Sequence, residues 1–124
     1  MKLEEFRIYN DAMEIGEKVW EIVMEWDIFA KDTMGKQVVR SADSVAANLS
    51  EGLGRFHYKE TKNFTYYSRG SLFETKTWLT KAKNRGYIDM EKFAVLTRSI
   101  EDLNVKINNY IKSIGTQPSY NKHE

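Results

Sequence analysis

The chain has 124 residues and a mass of 14.5 kDa, with 41% hydrophobic residues, one proline and no cysteine. That length suits one domain burying roughly two-thirds of its unfolded surface in a single core, and the missing cysteine excludes disulfides, thiolate metal sites and cysteine nucleophiles together. The net charge of +1 hides an asymmetry: residues 1–30 carry three basic and eight acidic side chains, residues 31–85 eleven and five.

Helical periodicity runs through four segments, and no strand alternation competes with it. The first helix is predicted from about residue 4 to 27. Its apolar residues, from Phe6 to Trp26, cover an arc of roughly 200°, whereas the outer helix of a monomeric bundle needs a stripe of little more than about 100°. This helix therefore has apolar surface to spare, set beside Glu14, Glu17, Glu21 and Glu25. The second helix is predicted over 32–51, with Asp32 as N-cap. Met34, Val38, Ala42, Val45, Ala46 and Leu49 form its inner face, and Gly52 fits the left-handed position that ends a helix. The third is predicted over 58–85. Phe64, Tyr67, Ser68, Ser71, Leu72, Thr75, Trp78, Leu79 and Ala82 form its inner stripe, and Gly86 is its stop. Asp89 is the expected N-cap of a fourth helix over 89–114, whose seam runs from Phe93 through Leu96, Ile100, Leu103 and Ile107 to Ile114. Residues 115–124 are expected to be a disordered tail. Four such helices with short links imply an all-α fold, an up-down-up-down antiparallel four-helix bundle over residues 1–114.

The longest unbroken apolar run, Phe93–Leu96, falls far short of the roughly 20 residues of a membrane span. The start, Met1 to Glu5, is too acidic and polar for a signal peptide, so a cytoplasmic protein is expected. Acid–base chemistry finds little support. There is no Glu-x-x-His pair for a di-iron bundle, and no arginine precedes a histidine at the spacing of helical RNA-cleaving toxins. His57 sits before the third helix and His123 in the tail. An enzyme is not expected, nor any catalytic residue, metal site or cofactor.

Two surface patterns stand out. Gln37, Arg40, Ser44, Asn48 and Glu51 recur at three- and four-residue spacing along one edge of the second helix. Glu51 lies where the helix dipole disfavours an anion, so it calls for a partner, and Arg55 is within reach. This edge is either a polar network fixing the corner between helices two and three, or a subunit or ligand contact. On the third helix, Tyr66, Gly70, Phe73 and Thr77 share a face opposite the core stripe, a pattern that suits packing by another helix. The basic residues Lys59, Lys62, Arg69, Lys76, Lys81, Lys83 and Arg85 flank it. A pI of 7.9 is below the values above about 9 usual for nucleic-acid-binding domains.

Residues 40–55, RSADSVAANLSEGLGR, with residues 69–75, RGSLFET, and the run Arg85-Gly86-Tyr87-Ile88 resemble a family of four-helix bundles encoded in intervening sequences of bacterial 23S ribosomal RNA genes. The resemblance covers about residues 4–114. Asn48, Glu51-Gly52, Gly54-Arg55 and Gly70-Ser71-Leu72 with Glu74 are its most specific parts. It implies antiparallel bundles that assemble into homopentamers, mostly without an established activity. A related branch, the accessory proteins of diversity-generating retroelements, forms strongly basic pentameric barrels that bind a reverse transcriptase and nucleic acid. This chain is nearly neutral, and Ala46 stands where many members have proline. Residues and resemblance together point to a non-enzymatic oligomeric binding or scaffold protein whose partner is itself. An RNA or ribonucleoprotein partner is the alternative, and an enzyme the third reading. Arg40, Asn48, Glu51, Arg55, Arg69, Ser71 and Glu74 form the expected interface or ligand edge, and Tyr66, Gly70 and Phe73 the oligomer face.

Overall fold

A computed structural model describes residues 1–115. Four long helices carry the fold: Arg7–Met24 (α1), Lys36–Leu53 (α2), Tyr58–Asn84 (α3) and Met90–Gly115 (α4). Each packs against its neighbours in the cyclic order α1, α2, α3, α4, which sets α1 and α3 diagonally across an all-α four-helix bundle. The tail expected over 115–124 lies, from residue 116 onward, outside the described residues. No helix of the described residues is long and apolar enough to cross a membrane.

The first helix begins later than its periodicity suggests. Leu3–Glu5 form one 3-10 turn, Phe6 is extended and buried, and α1 starts at Arg7. Phe6 packs its ring 5.1 Å from Tyr110, tying the N-terminus to α4.

The α1–α2 corner corrects the expected N-cap. Asp27, not Asp32, begins the second helical run, its Oδ1 accepting the Ala30 amide hydrogen bond at 2.8 Å. Ile28–Ala30 then pass through a π-helical turn, Lys31–Gly35, into α2 without a break. Asp32 lies exposed inside that turn. Asp27 has two uses for its carboxylate, because Oδ2 accepts a 2.8 Å hydrogen bond from the Tyr87 hydroxyl on the far corner. The π turn buries Met34 and Gly35. A Cβ on Gly35 would stand 2.9 Å from Val23 Cγ1, so its missing side chain lets α1 and the start of this run approach closely.

Gly52 also departs from expectation. It lies inside α2, buried, and does not terminate it. A Cβ there would meet Phe64 Cβ at 3.0 Å and the Thr61 carbonyl at 3.1 Å, so glycine serves close approach between helices here. Gly86, by contrast, adopts φ +82° and stops α3 as expected. Asp89 caps α4 through the Lys92 amide at 2.8 Å.

The inner face expected of the second helix is buried, from Met34 in the π turn to Leu49 in α2, and faces Leu72, Leu79 and Ala82 of α3. Four buried hydroxyls thread this seam, and all are hydrogen-bonded. Ser68 donates across to the Val45 carbonyl at 2.7 Å, and Thr75 Oγ1 lies 3.0 Å from Ser41 Oγ and 2.8 Å from the Ser71 carbonyl. Ser41 donates to Val38 and Thr65 to Thr61 within their own helices. Small side chains bring the backbones together, and satisfied hydroxyls avoid the cost of about 1–3 kcal/mol for an unpaired buried group. Tyr67 corrects the expected α3 stripe: it is 58% exposed, edge-on to the half-buried Phe64 with ring centroids 5.7 Å apart, and Thr65 takes the interior position.

Candidate interaction surfaces

The polar edge of α2 resolves into two separate clusters. In the first, Arg40 Nη2 donates to Gln37 Oε1 at 2.7 Å and to Glu74 Oε2 at 3.1 Å, and the same Glu74 oxygen accepts from Trp78 Nε1 at 3.2 Å. Glu74 thus orients an arginine across the outer α2–α3 seam. In the second, Glu51 accepts from Arg55 Nη2 at 3.1 Å. Arg55 also lies 3.9 Å from Glu60 and sets its guanidinium 4.9 Å from the centre of the Phe64 ring. That arrangement ties the end of α2 to the start of α3. Asn48 lies between the clusters and donates to the Ser44 carbonyl at 2.9 Å, and Ser44 donates to Arg40 at 2.8 Å. Ser71 is half-buried, and its carbonyl accepts from Thr75.

Arg69 is oriented without a carboxylate. Its Nη1 donates to Asn108 Oδ1 of α4 at 2.9 Å and its guanidinium stacks 4.9 Å from the Tyr66 ring centre. Lys76 pairs with Glu101 at 3.1 Å, and Lys83 sits 4.8 Å above the Phe93 ring. Arg69, Lys76 and Lys83, spaced seven residues apart, thus run down the α3–α4 seam with partners on α4. Their sequence spacing was visible, but their partners lie on another helix and become evident in three dimensions.

The outer face of α3 is what the periodicity indicated. Tyr66 and Phe73 are 41% and 54% exposed, Gly70 has open space beyond its Cα, and Thr77 continues the stripe. The matching surplus lies on α1. Met13, Trp20 and Met24, at spacings of seven and four, stand 42%, 51% and 49% exposed, with Glu14, Glu17, Glu21 and Glu25 beside them. Where this face meets α2, Asp43 comes close to α1, and a Cβ on Gly16 would stand 3.0 Å from Asp43 Oδ1. Desolvation first, and then the neighbouring Glu17 charge, push the Asp43 carboxyl above its usual range.

The histidine of the described residues that acid–base readings depend on, His57, is exposed at the N-cap position of α3, with its ring edge-on to Phe56. Among the described residues, no group of three or more His, Asp or Glu could hold a metal ion.

The fold and its surfaces define a helical bundle whose distinctive residues lie on its outer faces and seams. The chain belongs to the 23S rRNA-intervening sequence protein family, whose model matches residues 4–109. Its fold is similar to that of the crystal structure of a protein of unknown function from the S23 ribosomal protein family of Bacteroides thetaiotaomicron. The TM-score is 0.77 and the identity 20%, over 85% of this chain and 98% of that one. Comparison with curated proteins gives no match.

Proposed function

We propose that this protein is a non-enzymatic binding or scaffold protein that associates with copies of itself, the α1 face of one copy packing on the α3 face of the next. One observation carries the reading: two exposed apolar stripes stand on diagonally opposite helices, and their charge settings are opposite. The α1 stripe lies among glutamates, whereas Lys59, Lys62 and Lys81 border the α3 stripe, with Arg69, Lys76 and Lys83 on the neighbouring α3–α4 seam, against Glu60 and Glu74. A contact between two different faces of one chain repeats head to tail, and it ends in a ring if the rotation closes. The number five rests on the resemblance to pentamer-forming members of this family. The Glu51–Arg55 and Arg40–Glu74 clusters serve this reading as supports, holding α2 and α3 in register behind the contacting face.

A mixing experiment tests it. Trp20→Asp spoils one face and Phe73→Asp the other, and each variant alone runs as a monomer in light scattering. Mixed, they retain one intact pair of faces and form a one-to-one heterodimer. Two variants that stay assembled, or that fail to pair when mixed, contradict the head-to-tail contact.

A second reading has its own support. The outer α3 face interleaves Tyr66 and Phe73 with Lys59, Lys62 and Lys81, the one acid beside them being Glu74, whose carboxylate Arg40 and Trp78 already hold, and this is the pattern of a single-stranded nucleic-acid platform. It requires RNA affinity that falls steeply with salt. Filter binding at low salt with no retention of RNA removes it.

A further inference from the structure

The side of α1 turned away from the Met13–Trp20–Met24 stripe faces α4, and there the bundle opens. A groove of about 1130 Å³ runs between residues 18–27 of α1 and its corner and residues 86–96. Its floor is apolar: Trp26, Ile88 and Leu96 are buried, and Ile22 is half-buried. Val95 forms a wall at 56% exposure. The floor is held from one end, because Trp26 Nε1 donates to the Tyr87 carbonyl at 3.2 Å and the two rings lie 5.4 Å apart. Tyr87 is in turn fixed by Asp27, which caps the following helical run. The rim is charged and unbalanced: of its five carboxylates Asp27 and Asp89 cap helices, and Glu21, Glu25 and Glu91 stand beside Lys18 and Lys92.

We infer that this groove is a docking site for an amphipathic helix with lysine or arginine along the borders of its apolar stripe, supplied by a partner protein. A groove between two antiparallel helices is a trough along their axes, and the segment from residue 18 to 26 gives it a length of about 12 Å, or two turns. A rod with an apolar face fits such a trough in the helix-in-groove mode. The groove is open along its length, so a small molecule would remain largely in water there, unlike in the concave sites that bury most of a ligand. The excess of carboxylates on the rim selects basic flanks and disfavours acidic ones. The inference stands on the single bundle: the groove's floor, Ile22 and Trp26, lies on another side of α1 than the Met13–Trp20–Met24 stripe, and only Glu21 and Glu25 border both surfaces.

The probe is a fluorescein-labelled 18-residue peptide of leucine and lysine in amphipathic register, titrated with the full chain and read by anisotropy. Its counterpart replaces every lysine by glutamate. The lysine peptide is expected to bind, the glutamate peptide at least tenfold more weakly. Val95→Lys, at a side chain already 56% exposed, should weaken the lysine peptide at least tenfold and leave the oligomeric mass of the protein unchanged. Trp20→Asp should leave peptide affinity within twofold. Equal binding of the two peptides, undiminished binding by Val95→Lys, or loss through Trp20→Asp each overturns the assignment. So does a change of oligomeric mass in Val95→Lys, because the groove would then belong to the contact between copies.

Discussion

The two seams that α2–α3 and α1–α4 form are built from the same kind of helix, yet they pack in opposite ways. Between α2 and α3 the residues are small, Gly52 nearly touches Phe64 and Thr61, and hydroxyls cross the interface with every buried oxygen paired. Between α1 and α4 the exposed ion pair of Lys106 with Asp11 at 3.0 Å, and just beyond the helix ends the Trp26–Tyr87 contact, bridge a seam that opens into a groove. Close packing makes a seam intolerant of change, and looseness leaves apolar surface available to something else. In one bundle, the first arrangement holds the fold and the second offers a site.

That contrast can be broken in order of expected effect. Gly52→Val puts branched carbon where a Cβ already meets neighbours at 3.0 and 3.1 Å. Overpacking of this kind costs about 1–3 kcal/mol, so urea unfolding should show a clearly lowered midpoint. A midpoint unchanged by this variant means that α2 and α3 are not locked together. At the other seam, Lys106→Ala removes a pair whose side chains are both more than a third exposed, and the loss should stay within about 1 kcal/mol. A larger loss means that the α1–α4 seam is held more tightly than its groove indicates.

The smallest effect lies at the corner between these seams. Hydrogen bonds from the Ala30 amide, and then from the Tyr87 hydroxyl, hold the Asp27 carboxyl below its usual range. A carboxyl depressed in the folded state contributes stability that is complete above its unfolded value, near 3.9, and is lost as pH falls through the lower folded value. Asp43, raised by burial and by Glu17, acts with the opposite sign: its protonation relieves the fold as acid is added. Asp27→Asn should therefore flatten the fall in melting temperature below about pH 4, and Asp43→Asn should remove a gain on the way down from neutrality. Identical acid profiles for Asp27→Asn and the unaltered chain would place the Tyr87–Asp27 hydrogen bond outside the energetics of the corner.

Most of the fold was legible because periodicity reports burial directly. The α4 seam from Leu96 to Ile114 and the α2 face from Met34 to Leu49 are buried where spacing placed them. Local signals with two uses were misread. Asp32 reads as a cap from the chain alone, whereas the cap is Asp27, whose second oxygen is taken by Tyr87, sixty residues on. Gly52 reads as a helix stop when only the chain is visible, while its actual constraint is the neighbouring backbone of α3. Tyr67 lay near the border of its stripe, where half a side chain's rotation decides burial. Of the surfaces, the α1 surplus was visible as an arc too wide for one core, and the outer α3 stripe as aromatic residues on the face opposite its core stripe. The partners of Arg40 and Arg69 were not, since the register between helices is not written in either helix alone. Nor was the α1–α4 groove, whose two walls lie some sixty residues apart in the chain.

The central claim is that the α1 and α3 faces of this chain complement each other and close copies into a ring. Native mass spectrometry of the unaltered chain at physiological salt tests it most directly. A single species at five times the chain mass of 14.5 kDa is expected. A monomer of 14.5 kDa contradicts it by leaving both stripes without a second copy, and a dimer of twice that mass contradicts it by requiring one face to pair with itself.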